Sequence, residues 1–191
     1  DIIMKKVVKF GGSSLANSDQ FRKVGEIIRS EESRRYVVPS APGKRFPEDT
    51  KVTDLLYACY KKAAAGEDFG EILREIKERY YEIIRGLGLE LSLEKEFGQI
   101  EEDFKAQAGT DYAASRGEFL NGKIMAAYLG YEFVDAASVI RFDKNGNFDG
   151  DKTDKLLEKR LAKCERAVIP GFYGAMEDGT VKTFSRGGSD I

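Results

Sequence analysis

A lysine stands two residues before a glycine pair in Lys9-Phe10-Gly11-Gly12-Ser13-Ser14, a spacing suited to an anion cradle. Adjacent glycines let backbone N–H groups approach phosphate oxygens, and a lysine on the preceding strand supplies positive charge. The pattern is neither a Walker A sequence, which needs its lysine after the second glycine, nor a dinucleotide fingerprint, which needs three spaced glycines. A second glycine pair closes the chain in Arg186-Gly187-Gly188-Ser189-Asp190, where the arginine can grip a carboxylate through two parallel hydrogen bonds. A third cluster, Ser115-Arg116-Gly117-Glu118, is expected where a helix begins and offers an acid that could receive an ammonium group. The hydroxyls of Ser40 and Thr53 border a proline- and charge-rich loop. Taken singly, each feature has an ordinary explanation as a turn, a cap or a helix-start acid.

The elements that would position these groups follow from periodicity. Residues 4–10 form a short β-branched run that stops at Gly11-Gly12, as a buried strand entering a tight loop should. A helix capped by Asn17 or Ser18 follows, with Phe21, Val24, Ile27 and Ile28 on one face, and then a strand over 36–38 that ends in Pro39-Ser40-Ala41-Pro42-Gly43. Strand, glycine loop, helix, strand opens an α/β fold with a parallel sheet, in which ligands bind at the carboxyl ends of the strands. Helices are predicted over 52–65, 69–85, 93–107, 118–129 and 153–164, with short strands at 131–134 and 166–169. Asp178-Gly179 between two apolar runs signals a hairpin. The fold expected is a three-layer α/β/α sandwich around a mostly parallel sheet, one domain over 1–191, cut short on its C-terminal side because the last glycine turn lacks the helix that should follow it.

Composition narrows the function. The 191 residues include 31 basic and 33 acidic side chains, a net charge of −2, which leaves no global field to hold nucleic acid or an anionic membrane. No apolar run approaches a membrane span and no leader is apparent, so a cytoplasmic protein is expected. Cys59 and Cys164 match no metal or redox spacing and read as reduced, buried thiols. Histidine is absent, which removes the commonest general base and transition-metal ligand. Chemistry here must rest on positioning and charge.

Together the clusters resemble the aspartokinase family of the amino-acid kinase superfamily. The resemblance runs from Met4 to Ile191 and rests on six features in order: Lys9 to Ser14, Ser40-Ala41, Val52-Thr53-Asp54, Ser115 to Glu118, Pro170-Gly171-Phe172 and Arg186 to Asp190. It implies transfer of the γ-phosphoryl group of ATP to the side chain of L-aspartate, with Mg²⁺ held mainly through the phosphates. By the same resemblance Lys9 neutralises phosphoryl charge, Gly11, Gly12 and Ser13 face the phosphates, and Asp190 orients the lysine. Arg186 clamps the α-carboxylate, Glu118 meets the α-ammonium, and Ser40, Thr53, Thr183, Gly188 and Ser189 line the amino-acid pocket. The family's adenosine-binding segments and regulatory ACT domains would lie beyond Ile191, as would the contacts that make the parent enzyme a homo-oligomer. The chain alone is then expected to be weak or inactive as a kinase. Departures from the family pattern are Asp54 in place of asparagine, the added charges Lys44, Arg45, Glu48, Asp49 and Lys51, and Ala137 in place of arginine. Rival readings are a kinase of another small acid or nucleoside monophosphate in the same superfamily, and a non-catalytic anion-binding module.

Overall fold

The computed structural model describes residues 5–184, so the closing cluster at 186–190 lies outside the described residues. Strand β1 (Lys6–Phe10) runs into a single 3-10 turn (Gly12–Leu15), and helix α1 (Ser18–Arg29) returns the chain to β2 (Arg34–Pro39). Asn17 caps α1, its side chain accepting from the Gln20 N–H at 3.0 Å, which satisfies one of the donors a helix start leaves open. Phe21, Val24 and Ile28 are buried as their spacing requires, whereas Ile27 turns outward and is 49% exposed.

Four helices follow: α2 (Val52–Ala64), α3 (Gly70–Gly86), α4 (Glu94–Lys105) and α5 (Thr110–Leu129). The chain continues through β3 (Glu132–Phe133), α6 (Ala136–Val139), β4 (Arg141–Phe142), α7 (Gly150–Leu161) and β5 (Ala167–Val168). It ends in the hairpin of β6 (Tyr173–Met176) and β7 (Val181–Thr183), turned at Asp178-Gly179 as the sequence indicates. The main sheet has the order β1-β2-β5-β3 and every pair in it is parallel. A second sheet, β4-β6-β7, sits beside it.

Strand alternation creates the layers. Val37 and Val168 face one core together with the buried faces of α1 to α5. Their neighbours Tyr36, Ala167 and Ile169 face a second core with α6, α7 and Tyr173. The architecture is therefore the expected α/β one, a parallel sheet with helices on both sides. Cys59 and Cys164 are both unbridged and buried. Among the described residues no helix is long and apolar enough to cross a membrane.

Helix α5 begins at Thr110, not at Glu118, so Ser115 to Glu118 lie in the middle of a 20-residue helix. The small residues Ala113, Ala114, Ser115 and Gly117 are all buried, because this half of α5 is packed on several sides at once, so no apolar stripe marks it.

Candidate active site

The loops leaving β1 and β2 meet at the carboxyl end of the sheet and are stitched together by backbone bonds. The Ser40 N–H donates to Phe10 O at 3.1 Å, and the Gly43 N–H donates to Gly12 O at 2.9 Å. This approach admits no side chain: a Cβ on Gly43 would lie 2.7 Å from the carbonyl carbon of Gly12. The Asn121 side-chain amide of α5 donates to Ser40 O at 2.8 Å and so ties the second loop to the central helix.

A cavity of about 420 Å³ opens where these loops meet α2 and α5. Gly12 and Ser13 line it from the first loop, Ser40 to Lys44 from the second, Lys51 and Thr53 from the start of α2, and Glu118 from α5. Gly117 makes this placement possible, since a Cβ there would stand 2.8 Å from the Ala41 Cβ and 3.3 Å from Leu56. Its carbonyl accepts from the Tyr80 hydroxyl at 2.7 Å, which fixes α5 against α3.

Glu118 dominates the electrostatics. It is 5% exposed, and its Oε1 has no hydrogen-bond partner among the described residues. Burial pushes its carboxyl up to about 8, against smaller downward pulls from its own backbone N–H and from Arg116. A buried acid left this way is costly for a scaffold and suited to receiving a cation. Arg116 is itself buried and stacks on Tyr112 and Phe119, its guanidinium carbon 4.6 and 4.2 Å from the ring centroids. Lys44 and Lys51 are exposed and supply positive charge to the cavity lining.

The structure thus brings Gly12, Ser13, Ser40, Thr53 and Glu118 together. Strand β1 is not the buried strand its β-branched run suggests, since only Val8 and Phe10 are half-buried; Lys9 is exposed on it, and neither Lys9 nor Gly11 is among the residues lining the cavity. Thr183 is also outside the lining: its hydroxyl donates to Asp111 Oδ1 at 3.1 Å, in the first turn of α5. Arg186, Gly188, Ser189 and Asp190 fall outside the described residues. Sequence reasoning did not single out Pro42, Gly43, Lys44 and Lys51 as site residues, treating the charges of that loop as a departure from pattern. Proximity across the loop, which places Lys44 and Lys51 on one cavity, is a tertiary fact with no local signature. No group of three or more His, Cys, Asp or Glu suited to a metal ion occurs among the described residues.

A parallel sheet with a glycine turn and a buried acid at its carboxyl end defines the class: the chain belongs to the amino acid kinase family, whose model matches residues 4–191. It is 40% identical over 200 residues to Aspartokinase 3 of Bacillus subtilis, covering 97% of this chain and 44% of that protein. The solved aspartate kinase of Clostridium acetobutylicum superposes with a TM-score of 0.92 at 50% identity, over 96% of this chain and 42% of its own. Aspartokinase III of Escherichia coli, solved in complex with aspartate and ADP, gives 0.80 at 26% identity, over 96% and 44%. The resemblance to aspartokinases read from the motifs is borne out. The chain spans less than half the length of these relatives.

Proposed function

We propose that this chain forms the amino-acid-binding part of an enzyme that moves the γ-phosphoryl group of ATP onto the side-chain carboxylate of L-aspartate, giving 4-phospho-L-aspartate and ADP, an entry step of amino-acid biosynthesis. The observation that carries the reading is a single cavity lined both by the glycine turn at Gly12-Ser13 and by a buried Glu118 whose Oε1 has no partner among the described residues. Aspartate presents one cation and two anions, and a pocket sorts them only with opposite charges in fixed places. Glu118 would take the α-ammonium and Arg186, with Gly188 and Ser189, the α-carboxylate. Ser40 and Thr53 would orient the ligand by their hydroxyls.

The nucleophile needs no strong base, because a carboxylate is already ionised at neutral pH; alignment and charge neutralisation suffice. Lys9, oriented by Asp190, would neutralise charge on the transferring group, while Gly11, Gly12 and Ser13 face the phosphates. Thr183 would reach the ligand only by releasing Asp111. Mg²⁺ would enter on the phosphates of the nucleotide, since the described residues form no cage for it. The Escherichia coli relative, solved with aspartate and ADP, supports this pairing of substrates.

The test is calorimetric titration with L-aspartate, succinate and L-glutamate, together with an assay of aspartate-dependent ADP formation. Aspartate should bind and the Arg186→Ala variant should not bind it. Succinate lacks the ammonium, so equal affinity for succinate and aspartate would remove Glu118 from the proposed role. Turnover of another acid in place of aspartate would refute the substrate assignment.

A further inference from the structure

Arg79 of α3 is 4% exposed, and its fork is spent on the loop that carries the cavity wall. Nη2 donates to Gly43 O at 2.7 Å and Nη1 to Thr50 O at 2.9 Å, with Asp49 Oδ2 at 3.5 Å from Nη1. Asp49 is gripped in turn by Arg45, whose Nε and Nη2 donate to Oδ2 and Oδ1 at 2.7 and 3.1 Å, and whose backbone N–H adds a bond at 3.0 Å. One planar guanidinium therefore closes the segment 43–50 at both ends. Its two carbonyl partners are Gly43, the residue pressed against Gly12, and Thr50, next to Lys51 on the cavity wall.

Arg79 does not line that cavity; it lines a separate one, with Arg45, Asp49 and Thr50. Its position on α3 falls on the apolar stripe with Ile76, Tyr80 and Ile83, all buried. Packing alone would be served there by an apolar side chain at lower desolvation cost. What only arginine offers is a rigid fork matched to two backbone acceptors at once.

We infer that Arg79 is a positioning residue: it locks the 43–50 loop against the glycine turn, so that the Ser40 to Gly43 wall and Thr53 face the bound acid in one geometry. This rests on the proposed aspartate pocket and adds to it a residue that touches no ligand.

The test compares Arg79→Met, Arg79→Lys and, as a control on the same helix, Arg85→Gln in the full chain. Hydrogen exchange is followed with no ligand present and aspartate affinity by calorimetry. Both Arg79 variants should speed exchange over 43–51 and at the Gly12 turn, leave α7 unchanged, and weaken aspartate binding by between about tenfold and a hundredfold, as loosely held positioning groups do. Lysine should not rescue, because one ammonium cannot serve both carbonyls. If Arg79→Met does not fold, Arg79→Lys carries the comparison. Unchanged exchange over 43–51 would overturn the inference, and so would faster exchange with unaltered aspartate affinity. Failure of the unsubstituted chain to bind aspartate would instead sink the pocket assignment and the substrate half of this inference, while the exchange data would still decide whether Arg79 orders the loop.

Discussion

Replacing Glu118 by glutamine should make the protein more stable, by an amount that grows with pH. The carboxyl titrates near 8 in the fold, driven by burial, against 4.5 for an unburied glutamate. Between these values the native state keeps a proton that the unfolded chain gives up, so stability falls as pH rises. Below about 4.5 the group costs nothing by this route, and above about 8 the full cost is present. At roughly 1.4 kcal/mol per pH unit the full span is worth about 5 kcal/mol, an upper limit because a buried site relaxes on ionisation. Glutamine has nearly the same shape and no titration. Urea unfolding of the two proteins from pH 5 to pH 9 should give stability curves that start close together and diverge up to about pH 8. Curves that run parallel would show that Glu118 is solvated or paired in the native state, and the cavity electrostatics described above would be wrong.

Gly117→Ala should lose about 1–3 kcal/mol in denaturant unfolding, because the added methyl meets Ala41 and Leu56 within contact distance; the same variant should bind aspartate less tightly as Glu118 is displaced. Cys59 is fully buried and its thiol is pushed up to about 12, so a thiol reagent should label it only on unfolding; rapid labelling of the native protein at Cys59 would contradict the packing of α2. Aspartate affinity should rise about tenfold per pH unit below pH ~8 and level off above it, since binding an ammonium needs Glu118 ionised, and Glu118→Gln should abolish that slope. A flat profile in the unsubstituted protein would break the link between Glu118 and the ligand's cation.

How much could be read beforehand depended on whether a signal was local. The strand to 10, the glycine turn, α1 and β2 were legible because β-branched runs, helical spacing and glycine punctuation each act over a few residues. The Asp178-Gly179 hairpin was legible for the same reason. Strand β4 and helix α6 are too short to show a period, and the start of α5 was hidden because a helix packed on several sides has no polar face to contrast with an apolar one. Gly12, Ser13, Ser40, Thr53 and Glu118 could be named from motifs, and their grouping around one ligand followed from the family resemblance, since spacing along the chain carries no long-range contact. Arg79 carries a local signal of its own: a charge three residues after Ile76 and four before Ile83 falls on a buried stripe and must therefore have partners.

That signal generalises to the whole site. Four charged side chains are buried among the described residues: Arg35, Arg79, Arg116 and Glu118. Arg35 is close to Glu32 and Glu165, at 3.7 and 3.8 Å, and Arg116 is stacked among aromatic rings, so both are accounted for by what surrounds them. The other two bear on the cavity, Arg79 holding its wall through Gly43 and Thr50, and Glu118 lining it with one oxygen unpartnered among the described residues. Three glycines at which a Cβ would meet a neighbour within 3.0 Å, Gly12, Gly43 and Gly117, stand beside them, though glycines elsewhere in the fold are packed as closely. Each departs from what a stable core would choose, and such departures are tolerated where structure is held for a task. Around this one cavity they fit the proposed role of the site, which asks the fold to hold a ligand between fixed charges.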